Sequence, residues 1–175
     1  MRNVAAIALC VALGGPALSQ SLPERSGLNA LVGASPSTAD FVREAALSDM
    51  FESRSSELAA IRGDEPTRAF AARMNEAHQK SSSELGRIVK PNVKSTPLPS
   101  VLNSDHQAAL DKLKKLDGPA FVKQYREDQI GAHEAAVSLF QRYGEGGSND
   151  GLKAYARKML PTLREHLRMA EALGR

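Results

Sequence analysis

Apolar residues recur along this chain at alternating steps of three and four, the period of a helix that buries one face. The first such line is Phe41, Ala45, Ser48, Glu52, Ser55 and Ala59. Ser37 or Thr38 stands before it as an N-cap, and the pattern predicts a helix to about Arg62. Glu52 therefore falls on a narrow seam of mostly small residues, flanked by Leu47, Phe51 and Leu58. Gly63 ends the helix, and Asp64 with Pro66 starts another. The second line is Phe70, Met74, Ala77 or His78, Ser81, Leu85 and Ile88, which predicts a helix from about Glu65 to Val89. With only Gly63 and Asp64 between them, the two helices form an antiparallel hairpin.

Residues 90–103 carry Pro91, Pro97 and Pro99 and are predicted to be irregular. Asn103 or Ser104 then caps a short helix through Leu116, anchored by Leu110 and Leu113. Asp117-Gly118-Pro119 opens a third long helix to about Tyr143, with Phe121, Tyr125, Ile130, His133, Val137 and Phe140 on its buried side. Gly144 to Gly147 stop it, and Asn149 or Asp150 caps the last helix. That helix carries Leu152, Tyr155, Ala156, Met159, Leu163, His166, Ala170 and Leu173, with a kink or local loosening expected at Pro161. No alternating run is long enough for a sheet. The expected fold is all-α, a ferritin-like four-helix bundle with a long crossover containing a short extra helix.

Before the first helix the pattern is of another kind. Arg2, the apolar run Val4 to Leu13, the break at Gly14-Gly15-Pro16 and the small residues Ala17 and Ser19 have the layout of a secretory signal cut between Ser19 and Gln20. The apolar run is too short to span a bilayer, so no integral membrane segment is expected in the mature chain. The expected organisation is a signal peptide at 1–19, a flexible N-terminal segment at 20–36 that packs loosely through Leu28, Leu31 and Val32, and the bundle at 37–175. Export implies a periplasmic or secreted protein. Cys10 lies in the signal, so the mature chain has no cysteine, and helix packing must hold it without a disulfide.

Composition changes this picture little. At 175 residues the chain suits one domain, and its 5% aromatic content favours helices over sheets. The net charge of +3, with no basic stripe interleaved with aromatics, speaks against a nucleic-acid partner.

The candidate chemistry is one ionisable group on the inner seam of each long helix: Glu52, His78, His133 and His166. At about 1.5 Å per residue, Glu52, His78 and His133 lie within about one turn of each other if the crossover returns the chain to the end holding Gly63. His166 then comes out roughly a turn higher, or a turn lower if the crossover stays at the other end. Three imidazoles and a carboxylate suit zinc, iron, manganese or copper, and they equally suit a buried hydrogen-bonded network without metal. Asn75, Ile130 and Leu163 stand three residues before the seam histidines, so the Glu-x-x-His pairs of a di-iron centre are missing. His106 reads as an exposed or capping residue.

With these motifs placed, the chain resembles the domain-of-unknown-function 4142 family over about residues 35–173. The resemblance is carried by Thr38-Ala39-Asp40-Phe41-Val42, Ser48-Asp49-Met50-Phe51-Glu52, Phe70-Ala71 with Met74 and His78, Ala132-His133 with Val137-Ser138-Leu139-Phe140, and Leu160-Pro161-Thr162-Leu163 with His166 and Leu173. It implies an exported ferritin-like bundle with a Glu/His seam and brings no assigned reaction. The family commonly places Asp directly before the second-helix histidine and an acid after the third-helix Phe. This chain has Ala77 and Val122 there, so the carboxylate that would orient His78 is missing from its expected place.

Two functions from different classes follow. The first is a non-catalytic, stress-related envelope protein with a structural Glu/His network, acting through its outer surface, a homo-oligomer or an envelope partner. The alternative is a protein that holds a transition metal through Glu52, His78, His133 and His166. No nucleophile with an adjacent base and no phosphate-binding loop is visible, so catalysis is not expected.

Overall fold

The computed structural model describes residues 30, 32–92 and 96–173, and these are all-helical apart from turns and connections. The expected signal peptide, with Leu28 and Leu31, lies outside the described residues. Val32 is exposed, and the approach to the first helix is tied down by Arg142, whose guanidinium donates to the Ala34 carbonyl at 2.8 Å.

Among the described residues, four long helices and one short one build the fold. Helix α1 spans Thr38–Arg62, α2 Glu65–Asn92, α3 Ser104–Lys114, α4 Gly118–Gly146 and α5 Asp150–Ala172. Polar side chains set the starts where the sequence places them. Ser37 Oγ accepts from the Asp40 amide, Asn103 Oδ1 from that of His106, and Asn149 Oδ1 from that of Leu152. At the start of α2, Asp64 Oδ1 accepts from the Thr67 amide. Helix α2 extends through Pro91, further than expected. A proline in the last turn gives up a single helical hydrogen bond, so the turn closes around it. Helix α5 likewise continues across Pro161.

The long helices pack as a ring, α1 on α2, α2 on α5, α5 on α4 and α4 on α1. Every neighbouring pair is antiparallel. Phe41 at the start of α1 stacks on Tyr143 near the end of α4, with ring centroids 4.0 Å apart, while Ser56 further along α1 meets Tyr125 near the start of α4 at 3.0 Å. Between α2 and α5, Arg73 near the start of α2 reaches Met169 Sδ near the end of α5 at 3.3 Å, while the Ser81 hydroxyl further along α2 meets that of Tyr155 near the start of α5 at 2.7 Å. The crossover therefore carries the chain back to the end holding Gly63. Along it, α3 lies against α1 and α4, with Leu110 and Leu113 buried as expected.

The core divides along the bundle. One apolar layer holds Phe41, Leu85, Phe140, Tyr143, Leu152 and Tyr155, and the other holds Ala59, Phe70, Met74, Leu113, Phe121 and Tyr125. On α4 the inner positions are Gln129 and Ala136, one residue before the expected Ile130 and Val137, which are only partly buried. The hydrophobic side chains flank the seam, and the small or polar ones occupy it because four backbones crowd there.

Gly63 sits in a tight turn between α1 and α2. A Cβ there would lie 2.7 Å from both the Ala59 carbonyl oxygen and Thr67 Cγ2, while φ of −72° suits any residue. Gly63→Ala is therefore expected to lower stability by about 1–3 kcal/mol through crowding. An unchanged urea midpoint would mean that the turn relaxes freely.

Candidate metal centre

Between the two apolar layers lies a layer of ionisable groups. His78 of α2, His133 of α4 and His166 of α5 converge there, their ring centroids 5.5–5.8 Å apart pairwise. One ligand atom from each ring lies within 4.8 Å of the other two, and all three side chains are buried. Glu52 of α1 adjoins them, 1% exposed, with Oε1 3.8 Å from His133 Nδ1. Its carboxylate is not one of the three groups that meet.

The position of His166 corrects the expectation that it stands a turn above the others. Side chains lean toward the N-terminus of their own helix. Helices α2 and α4 run downward from the Gly63 end, so His78 and His133 lean up, while α5 runs upward and His166 leans down. The lean closes the gap that counting Cα positions leaves open.

Each ring is held differently. His78 Nδ1 donates to Asp49 Oδ1 at 2.8 Å, and Asp49 Oδ2 accepts from Ser82 Oγ at 3.3 Å. His133 Nδ1 donates to the Gln129 carbonyl one turn earlier at 2.9 Å. Among the described residues, His78 Nε2, His133 Nε2 and His166 Nδ1 are buried without a hydrogen-bond partner, and so are both oxygens of Glu52. Asp49 and Gln129 are the residues that the sequence reading missed. Both were discoverable by spacing, Asp49 three before Glu52 and Gln129 four before His133, which puts each on the same helix face as a seam group. A carboxylate behind His78 is thus supplied across the helix pair by Asp49.

Burial shapes the charges. It raises Glu52 to about 7, against the pull of a charged His78 and the Gln129 amide. Burial drives His133 down to about 3, helped by the nearby His78, and His166 down to about 4, helped by His78 and Arg73. Burial also works against protonation of His78, but the Asp49 hydrogen bond and the charges of Glu52 and Asp49 outweigh it and lift that imidazole above its ordinary value. Two imidazoles are therefore neutral at pH 7, as metal ligands must be.

Other candidates are accounted for. His106 Nδ1 donates to Asn103 Oδ1 at 2.9 Å and its ring packs 5.2 Å from that of Phe51, so it belongs to the cap of α3. Ser81 and Ser82 bond Tyr155 and Asp49.

An all-α chain with a buried cluster of three histidines is the class that these observations define. The chain belongs to the family described as domain of unknown function DUF4142, which residues 24–173 match. No curated protein and no solved structure matches it.

Proposed function

We propose that this protein is an exported metal-binding protein of the ferritin-like four-helix type, holding one divalent transition-metal ion among His78, His133 and His166, with Glu52 at its side. The observation that carries the reading is three buried histidines that each bring a ligand nitrogen within 4.8 Å of the others and each carry a buried ring nitrogen without a hydrogen-bond partner among the described residues. A buried polar atom without a hydrogen bond costs about 1–3 kcal/mol, and a single cation would satisfy all three. Ligand nitrogens about 2.0–2.1 Å from a tetrahedral zinc lie roughly 3.4 Å apart, so the rings would close on the ion by on the order of 1 Å. Three imidazoles leave a fourth position for Glu52 or water and suit zinc, copper, iron or manganese. A ferritin-type di-iron site does not fit. It draws Glu from each of two helices and Glu-x-x-His from the others, whereas among the described residues Glu52 is the one carboxylate without a hydrogen-bond partner beside this cluster.

The second reading is a metal-free network, favoured by one observation, the buried Asp49–His78 pair. It accounts for that pair and leaves His133 Nε2 and His166 Nδ1 unexplained. Elemental analysis of untagged protein from its native compartment separates the two. A stoichiometric transition metal is expected, and protein that carries none and takes up none from zinc, iron, manganese or copper would refute the site.

Export rests on Arg2, the short apolar run and the small residues at Ala17 and Ser19. Intact mass from the native host should correspond to a chain beginning at Gln20. Cytoplasmic protein that keeps Met1 would overturn this assignment.

A further inference from the structure

The three imidazoles are not equivalent, and the difference lies in what stands behind them. His78 Nδ1–H donates to Asp49 Oδ1 at 2.8 Å across the α1–α2 pair, both groups are buried, and Ser82 donates to the other carboxylate oxygen. His133 Nδ1 donates to a backbone carbonyl of its own helix, with Glu52 Oε1 further off at 3.8 Å. His166 Nδ1 has no hydrogen-bond partner among the described residues. A carboxylate that receives Nδ1–H fixes the ring plane, puts the lone pair on Nε2, and strengthens that nitrogen as a donor to a cation.

We propose that Asp49 is the positioning residue of the metal site, a side chain from α1 that aims His78 Nε2 into the cluster and raises its strength as a ligand while itself touching no metal. Ser82 holds Asp49 in that orientation. Helix α1 thereby contributes to the site twice, through Asp49 behind His78 and through Glu52 beside His133. A purely structural Asp49 would be satisfied by any arrangement that pairs its oxygens. The observed one spends Oδ1 on the ring nitrogen that faces away from the unpartnered Nε2.

The inference rests on the metal-binding reading, and the test is built so that the two fail separately. Cobalt(II) is titrated into metal-free wild type, Asp49→Asn and Asp49→Ala, reading affinity from a chelator competition and ligand geometry from the visible absorption bands. Wild type is expected to bind one cobalt. Asp49→Ala is expected to bind about 10- to 100-fold more weakly with shifted bands, because losing such an outer partner has that effect on metal sites. Asp49→Asn keeps an acceptor oxygen and the volume and should recover part of the loss. Should Asp49→Ala fail to fold by circular dichroism, Asp49→Asn decides, with several-fold weaker binding expected. Cobalt affinity and bands equal to wild type in the folded variants would overturn the role of Asp49 and leave the metal site standing. Wild type that binds no cobalt, zinc or copper would overturn both.

Discussion

Phe140→Ala should cost about 3–5 kcal/mol of folding stability. The ring sits in the apolar layer between α4, α1 and α5, 4% exposed. It meets Phe41 edge-on at 5.1 Å and Tyr155 at 5.8 Å, so its removal opens a cavity among rings that are themselves fixed. Phe41 is held by stacking on Tyr143, and Tyr155 by its hydrogen bond to Ser81, which leaves neither free to collapse into the space. Aromatic pairs add about 0.5–1.5 kcal/mol beyond area burial, which places the loss in the upper part of the range. Lys112→Ala, on the exposed side of α3, should stay within about 0.5 kcal/mol. Equal urea midpoints for the two variants would contradict the packing of α4.

The same residues show what the sequence makes legible. Helix starts were readable because Ser37, Asn103 and Asn149 each have one strong local use, and the structure employs all three. The seam itself was readable on α1, α2 and α5. On α4 the large apolar Ile130 and Val137 stand one position after the inner Gln129 and Ala136, so hydrophobicity alone points to the wrong line. Hydrophobicity reports burial averaged over a face, and at the crowded axis of four helices the innermost position goes to what fits. The meeting of His166 with the others was not readable from rise per residue alone, since it depends on helix direction, which the crossover decides. Asp49 stayed hidden for a related reason. Its partner His78 is 29 positions away on another helix, and only the hairpin's register brings them together.

Zinc should raise the melting temperature of the metal-free protein at neutral pH, and His133→Ala should abolish that rise. A ligand present at about 100–1,000 times its dissociation constant stabilises by about 2.7–4.1 kcal/mol, which for a domain of this size is on the order of 10 °C. His133→Ala removes one of three ligands, so zinc should no longer shift its melting, while its helical signal stays near wild type. The pH dependence follows from the proton counts. Between about 4.5 and 6.5, His133 and His166 are neutral in the fold and protonated when unfolded, whereas Glu52, raised to about 7, is protonated in the fold and ionised when unfolded. The unfolded chain therefore binds about one more proton net, and metal-free stability should fall as pH drops through this window. Above 6.5 the sign reverses, because Glu52 and His78 hold their protons longer in the fold than in the unfolded chain, and metal-free stability should decline as pH rises through about 7. Zinc displaces those protons, so its stabilisation should be large at pH 7.5 and fade below about 6. Thermal unfolding of wild type and His133→Ala, with chelator and with zinc, at pH 4.5, 5.5, 6.5 and 7.5, reads every part of this. A zinc shift of equal size at pH 5.5 and 7.5, or one that survives His133→Ala, would mean that the ion binds somewhere other than this histidine cluster.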